Sequence, residues 1–589
     1  MKRILLFMSA LFFSGVQIIF SQIEQETIDI EKSYNPAVQE VKKLDESPKA
    51  DLRVEKKKLK IHYSPINLPV KSDYKLAAIH PVKLPPKNNR LLYNSYLKAG
   101  GGYPLTTLLD SYIDYEYDTN RHLGAFLHHF STDTKAKNAR VDDNQSQNNV
   151  ELFYKMDDDG CSTKLTAGYD RSIYHYYGIA DLDQVFSPAE ADKIYHQTKV
   201  KNDYQTFYLN AGLDGYKNRL LNNSNLLLRY FTGDFGAKEF YTRLNTELAH
   251  NTNRHSMPLN TIYFKGSARL NLEYINTDFE HAFNSIRGAG FFKASLAPFI
   301  TITNDINYLT IGIDVTYNNN YKTNNHKFRF YPHIEAMVKA AEEFSIYGGL
   351  KGGLKNNNYY DLVQNNPWIT PGVSLKATNT RYNIYGGIKG IFSDVFQYKG
   401  EVSYAEIKNF LLMANTPLAN SLNPPTIIPP YRLENSFYTL YDHAKNLSIK
   451  GELNYVGIEH LTTTLTAAFY HYDLNREPYA WNYPDFTTTL AAEYKLFNDQ
   501  LTVGTDLYYI GERKDIAYDY YSGNRQRNGR VILNDYIDAN LRSSYRINDR
   551  WGAFLKWNNI FGSYERFKNY QTQGAQILGG VTYKFSVKR

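Results

Sequence analysis

Cysteine is almost missing from this 589-residue chain, where Cys161 stands alone. One thiol cannot form an internal disulfide, so hydrogen-bonded backbone and packing must hold the fold together. Long apolar runs are missing too. Beyond residue 22 nothing supplies the roughly 18 consecutive apolar residues of a membrane helix, and the mean hydropathy is −0.51. A large excess of one charge is also lacking. The formal net charge is +7, two of whose positive contributions, Lys2 and Arg3, belong to the first three residues; this is too little to argue for nucleic acid.

Signals for catalysis or metal binding are equally sparse. His128 and His129 are adjacent on an alternating stretch, so they point to opposite faces and cannot chelate one ion together. The Asp157-Asp158-Asp159-Gly160 run suits a tight turn and lacks the further ligands of a calcium loop. His471 and Asp473 share one face of a strand, as a hydrolase would require, but the sequence places no serine beside them. No enzyme activity, cofactor or metal is expected.

What the chain does have begins with an export signal. Residues 1–21 combine basic Lys2 and Arg3, an apolar run from Ile4 to Phe13 resuming at Val16 to Phe20, and small Ser21. This is the pattern of a secretory signal peptide; a single anchoring helix is the alternative. Without a cysteine at the cleavage point, a lipoprotein is not expected. Residues 22–92 are rich in lysine, with Lys56-Lys57-Lys58 as the densest run. Pro36, Pro48, Pro65, Pro69, Pro81, Pro85 and Pro86 break helices and central strands. An extended periplasmic segment is expected there.

From Tyr93 the text becomes repetitive. Phe486, Thr488, Leu490, Ala492, Tyr494 and Leu496 lie on one face of a period-2 strand, with Glu493 and Lys495 on the other. After Asn498-Asp499 the pattern resumes with Leu501, Val503, Leu507 and Tyr509. Ile537, Leu541, Tyr545 and Ile547 pass through Asn548-Asp549 into Trp551, Ala553, Leu555 and Trp557. These read as hairpins whose faces stay in register. Aromatics make up 15% of the chain, including 52 tyrosines, which suits the interfacial girdles of a transmembrane barrel; a tyrosine-rich soluble sandwich or propeller is the competing class.

Counting the alternating segments predicts an all-β fold: a transmembrane antiparallel up-and-down barrel of about 22 strands over residues 93–589, preceded by the short extension. Connections alternate short and long, with one exception at residues 251–259. The polar face carries both signs, Arg542 and Arg546 with Asp535, Asp538, Glu493 and Asp506. A barrel of this size, on the order of 40 Å across, must be filled by infolded loops, by the lysine-rich segment, by charged side chains or by another polypeptide.

The last strand carries the first resemblance. Gly580, Tyr583 and Phe585 are spaced like the signal read by the barrel-insertion machinery, with apolar Leu578 where a polar residue is usual and with Ser586 to Arg589 following the aromatic. Trp557-Asn558-Asn559-Ile560-Phe561, followed by Tyr564, makes residues 93–585 resemble the barrel of the TonB-dependent receptors. With Ser33-Tyr34-Asn35-Pro36-Ala37-Val38 before the barrel and Asn366-Pro367-Trp368 in mid-chain, the whole is similar to a Bacteroidetes outer-membrane barrel family grouped with those receptors. The resemblance implies transport or ligand reception across a Gram-negative outer membrane. It departs at the plug domain, for which residues 22–92 leave no room. Glu26, Thr27, Ile28, Asp29 and Ile30 look like a TonB box, the segment captured by β-augmentation; an ordinary acidic, β-branched tail is the alternative. Expected partners are outer-membrane lipid, the insertion machinery and a periplasmic or outer-membrane protein, with no nucleic acid. A structural or assembly subunit of an outer-membrane complex is the alternative function.

Overall fold

The computed structural model describes residues 93–133, 135–158, 160–215, 221–251, 262–280, 286–304, 306–418, 430–519 and 527–588. The signal segment, the lysine-rich segment and Glu26 to Ile30 lie outside them.

Strict alternation leaves each strand one apolar and one polar face, and pairing with both neighbours satisfies its backbone. Twenty-two long strands, from Ser95–Tyr103 to Gln576–Phe585, form one antiparallel sheet. The first strand pairs with the last, Ser95 opposite Phe585 and Tyr103 opposite Ile577, so the sheet closes into a barrel without a free edge. A two-residue tail, Val587–Lys588, lies parallel to Tyr115 and Glu116.

An even strand count puts both ends of the barrel on the same side. On that side the connections are tight, as at residues 119–120, 393–395, 497–500 and 547–550. Asn498 and Asp499 both adopt the left-handed backbone (φ 55° and 62°), which these two residue types tolerate in turns. The opposite side carries the long connections, residues 133–144, 176–200, 357–376, 416–436, 511–535 and 559–575. Strands Ala237–Asn251 and Tyr263–Phe279 pair within the count of 22; the connection between them, which broke the short-long pattern, lies outside the described residues.

Among the described residues α-helix is confined to two loop segments, Pro188–Gln197 and Tyr359–Asn365. The first starts at Ser187, whose N–H and hydroxyl both donate to Glu190 Oε2, 3.1 and 2.7 Å. Ser-Pro-Ala-Glu is a helix-start signature, which period-two alternation does not register.

The outer face is the apolar one. Leu541, Leu555, Ile577 and Val581 point outward and stay exposed, as do Tyr545, Trp551 and Trp557, the dressing of a membrane-embedded barrel. Trp551 sits opposite Tyr583 with ring centroids 4.7 Å apart, and Tyr583 stacks on Phe585 at 5.8 Å. Arginine at outward Val581 is expected to cost roughly 2–4 kcal/mol, and at inward Thr582 much less. Equal losses in reversible unfolding from lipid vesicles would show the phase of this strand to be wrong.

Inside the seam the polar expectation for Leu578 fails for a local reason. Leu578 is buried against Leu108 and Phe554 in a small lumenal apolar cluster. The Phe554 ring covers Gly100 and Gly580, where any Cβ would fall within 2.8 Å of it. The Lys98 ammonium lies 4.4 Å from the same ring's centroid, a cation–π contact.

Candidate functional site

The long connections do not stand away from the barrel. They fold into its mouth and pack on one another. Helix Tyr359–Asn365 shows how this is built. Asn358 caps it, Oδ1 accepting the Asp361 N–H at 2.8 Å. Glu239, on the inward face of strand Ala237–Asn251, reaches the same helix end. Its Oε2 accepts the Tyr359 N–H at 2.6 Å and the Thr277 hydroxyl at 2.8 Å, and its Oε1 accepts the Tyr360 N–H at 3.4 Å. A carboxylate at a helix N-terminus satisfies orphan donors and favours the helix dipole. Arg229, also inward, completes the site 3.5 Å from Glu239 Oε1, with its guanidinium 3.6 Å from the centre of the Tyr360 ring. Both charges are buried. Glu273 repeats the device one strand on, pairing with Lys293 at 3.3 Å and accepting Asn356 Nδ2 at 3.0 Å.

Asn366-Pro367-Trp368, which follows this helix, is the centre of the cap. Tyr204, on the wall, donates to the Pro367 carbonyl at 2.9 Å, and Tyr176 and Tyr359 donate to the Ile369 carbonyl at 2.9 and 3.2 Å. Trp368 donates through Nε1 to the His175 carbonyl at 2.8 Å and stacks on Tyr570, centroid to centroid 3.9 Å. Tyr177 meets both rings edge-on. Three long connections, 176–200, 357–376 and 559–575, therefore share one aromatic core, with Phe437 completely buried beside it.

Buried polar groups tie the remaining loops to this core. Lys568 pairs with Glu434 and donates to the Ile516 carbonyl at 3.0 Å. Asn435 Nδ2 donates to the Tyr176 carbonyl at 2.8 Å, and Tyr570 donates to the Asn435 carbonyl at 2.5 Å. Asp515 accepts the Asn415 N–H at 3.0 Å, Asn482 Nδ2 at 2.9 Å and the Ile516 N–H at 2.7 Å. Burial still pushes its carboxyl above the usual carboxylate range. Deleting one partner here strands another group without water, so the contacts act together.

Below the cap the inner wall is polar. A cavity of about 310 Å³ lies between the helix and the wall, bordered by Tyr360, Gln364, His128, Asn149 and Asp170. Farther round, Arg542 pairs with Asp506 and lies 3.9 Å from Glu493, and Lys351 pairs with Glu335. Asp538 is inward and buried, accepting the Tyr508 hydroxyl at 2.9 Å. Asp535 does not join this face. Three positions from Asp538, it lies on the outward side, where Tyr509 donates to it at 3.0 Å. Arg546 sits at the turn side and donates to the Asn498 carbonyl.

The weaker sequence candidates separate. His128 is lumenal, 2.5 Å from Asp110, whereas His129 points outward to Asn148 and Thr107. Asp157 pairs with Lys155 near the end of strand Gln145–Asp158; Asp159 lies outside the described residues. His471 and Asp473 face outward opposite Leu447 and Lys445, and no described serine hydrogen-bonds either. Among the described residues no group of three acidic, histidine or cysteine side chains is placed to hold a metal. Gly580 is inward under Phe554, and Tyr583 and Phe585 are outward. Alternation does not single out Glu239, Arg229 or Lys568, whose partners lie on distant loops.

No protein-family model matches the chain, and no curated protein matches it. Solved structures do. The siderophore receptor PirA from Acinetobacter baumannii is similar with a TM-score of 0.59 and 11% identity, covering 83% of this chain and 80% of that one. A mutant ferric enterobactin receptor PfeA from Pseudomonas aeruginosa, in complex with enterobactin, gives 0.58 and 12%, covering 83% and 81%. The FrpB iron transporter from Neisseria meningitidis gives 0.59 and 11%, covering 84% and 81%. At such identities the likeness is one of fold.

Proposed function

We propose that this chain is an outer-membrane barrel that receives or transports a ligand through a mouth closed by its own loops. The observation that carries this reading is the pairing of a hydrated inner wall bearing both charges with a cap of infolded connections. The apolar, aromatic outer face supports embedding in a membrane, and the fold shared with siderophore receptors and an iron transporter supports a receptor-type use. In this reading the infolded loops supply the closure. Export by the signal segment and recognition of Gly580, Tyr583 and Phe585 by the insertion machinery belong to the same proposal.

The density of buried contacts in the cap favours a second reading, a non-transporting subunit of an outer-membrane assembly. Co-purification from native membranes separates the two. Recovery of the barrel alone supports reception or transport; recovery at fixed stoichiometry with another protein supports assembly.

Energy coupling is a distinct question. If Glu26 to Ile30 acts as a TonB box it must pair backbone to backbone, and proline at Ile28 would remove an N–H and block that pairing. Ile28→Pro is expected to behave as wild type, because the closing element in this reading is a set of connections tied to the barrel wall, which a pull on residues 26–30 would not displace. A phenotype equal to loss of the energy-coupling protein would contradict this.

A further inference from the structure

A second cavity, of about 530 Å³, lies in the same mouth between strands Gly288–Thr303, Tyr308–Asn320 and Asn325–Lys339 and the end of connection 357–376. Its volume falls in the range of small-molecule sites. The charged groups of its lining are all cationic. Lys327, Arg329 and Lys376 contribute three cations, Asn318, Asn325 and Asn409 contribute amides, and no carboxylate lines it among the described residues. At other places on the inner wall a cation meets a carboxylate, as Lys293 meets Glu273 and Arg542 meets Asp506.

The carboxylates around this cavity are already engaged. Asp278 takes the Lys322 ammonium at 2.6 Å. Asp314, on the same face as Thr316, the cross-strand partner of Arg329, accepts Ser295 Oγ at 2.5 Å and Thr316 Oγ1 at 2.7 Å. Arg329 keeps Nη1 buried with no acceptor among the described residues. A desolvated guanidinium donor without an acceptor is costly, and its planar fork matches carboxylate and phosphate oxygens. The neighbouring phenylalanines Phe328 and Phe330 are exposed on the outward side, so Arg329 points into the barrel, away from lipid headgroups.

We propose that this cavity binds a small, multiply charged oxyanion, bearing carboxylate or phosphate groups, that enters from the loop side. This names the ligand class for the reception proposed above and rests on that reading.

The test is isothermal titration of the full-length barrel in detergent with citrate and, separately, inorganic phosphate. Citrate is expected to bind, more weakly as salt rises, and R329Q is expected to weaken it by at least about tenfold. K327Q and K376Q should each weaken it less. Heat-modifiable migration on gels reports folding. Should R329Q not fold, the K327Q/K376Q pair of exposed lysines reads the same effect. The proposal is overturned if neither anion binds the wild type, or if the substituted barrels bind as wild type does. Anion binding by a barrel that co-purifies from native membranes at fixed stoichiometry with another protein would keep this pocket and sink the reception reading; recovery of the barrel alone, with neither anion bound, would do the reverse.

Discussion

Glu239→Ala is expected to release helix Tyr359–Asn365 from the barrel wall. The carboxylate is fully buried and holds two helix N–H groups and the Thr277 hydroxyl beside buried Arg229. Removing it leaves a guanidinium without its counter-charge and a helix end without its acceptor. Breaking a buried pair in this way costs roughly 3–5 kcal/mol. The wall strands keep their ladders, so the loss should fall on the docking of the cap. Hydrogen exchange read by mass spectrometry should show the amides of residues 359–370 losing protection, on the order of a hundredfold or more, while those of strand Ala237–Asn251 hold. Glu239→Gln retains one acceptor oxygen and should lie between. Unchanged exchange in the alanine variant would mean that packing around Trp368 alone docks the helix.

The second large effect is at the closing seam, where two adjacent glycines should behave differently. A Cβ on Gly580 would lie 2.1 Å from the Ala99 carbonyl oxygen and 2.6 Å from the Cα of Gly100. Both are backbone atoms of the first strand, which cannot withdraw without opening the ladder between Ser95–Tyr103 and Gln576–Phe585. A Cβ on Gly579 would meet only ordinary contacts at 3.7 Å, to Leu555 Cδ1 and the Phe554 carbonyl oxygen. Gly580→Ala is therefore expected to abolish the heat-modifiable folded form on gels, and Gly579→Ala to leave it at wild-type yield. Equal yields would show that the seam relaxes more easily than this geometry allows.

The wall was readable because its rule is local. A period of two puts Val581, Tyr583 and Phe585 on one face whatever lies across from them, and the turn pairs Asn498-Asp499 and Asn548-Asp549 mark where that face reverses. Asp535 shows the limit of grouping by composition: it is acidic like Asp538 but three positions away, and odd spacing sends it outward. Leu578 shows the converse, an apolar residue kept inside because Leu108 and Phe554 meet it there. The cap was not readable in the same way. Glu239 and Tyr359 are 120 positions apart, Lys568 and Glu434 are 134 apart, and no periodicity links either pair. Asn366-Pro367-Trp368 stood out as a family feature without a reason; its reason is that its backbone carbonyls and indole gather three tyrosines from different elements. Helix Pro188–Gln197 is legible in Ser187 and Glu190 as a helix start, but period-two alternation does not mark it.

The central claim is that the barrel is closed by its own infolded connections. Planar-bilayer recording of the purified full-length chain, wild type against Glu239→Ala, tests it most directly. The account predicts an almost silent wild type and a variant with large, frequent openings at the same protein density. Large steady conductance from the wild type, unchanged by Glu239→Ala, would contradict it.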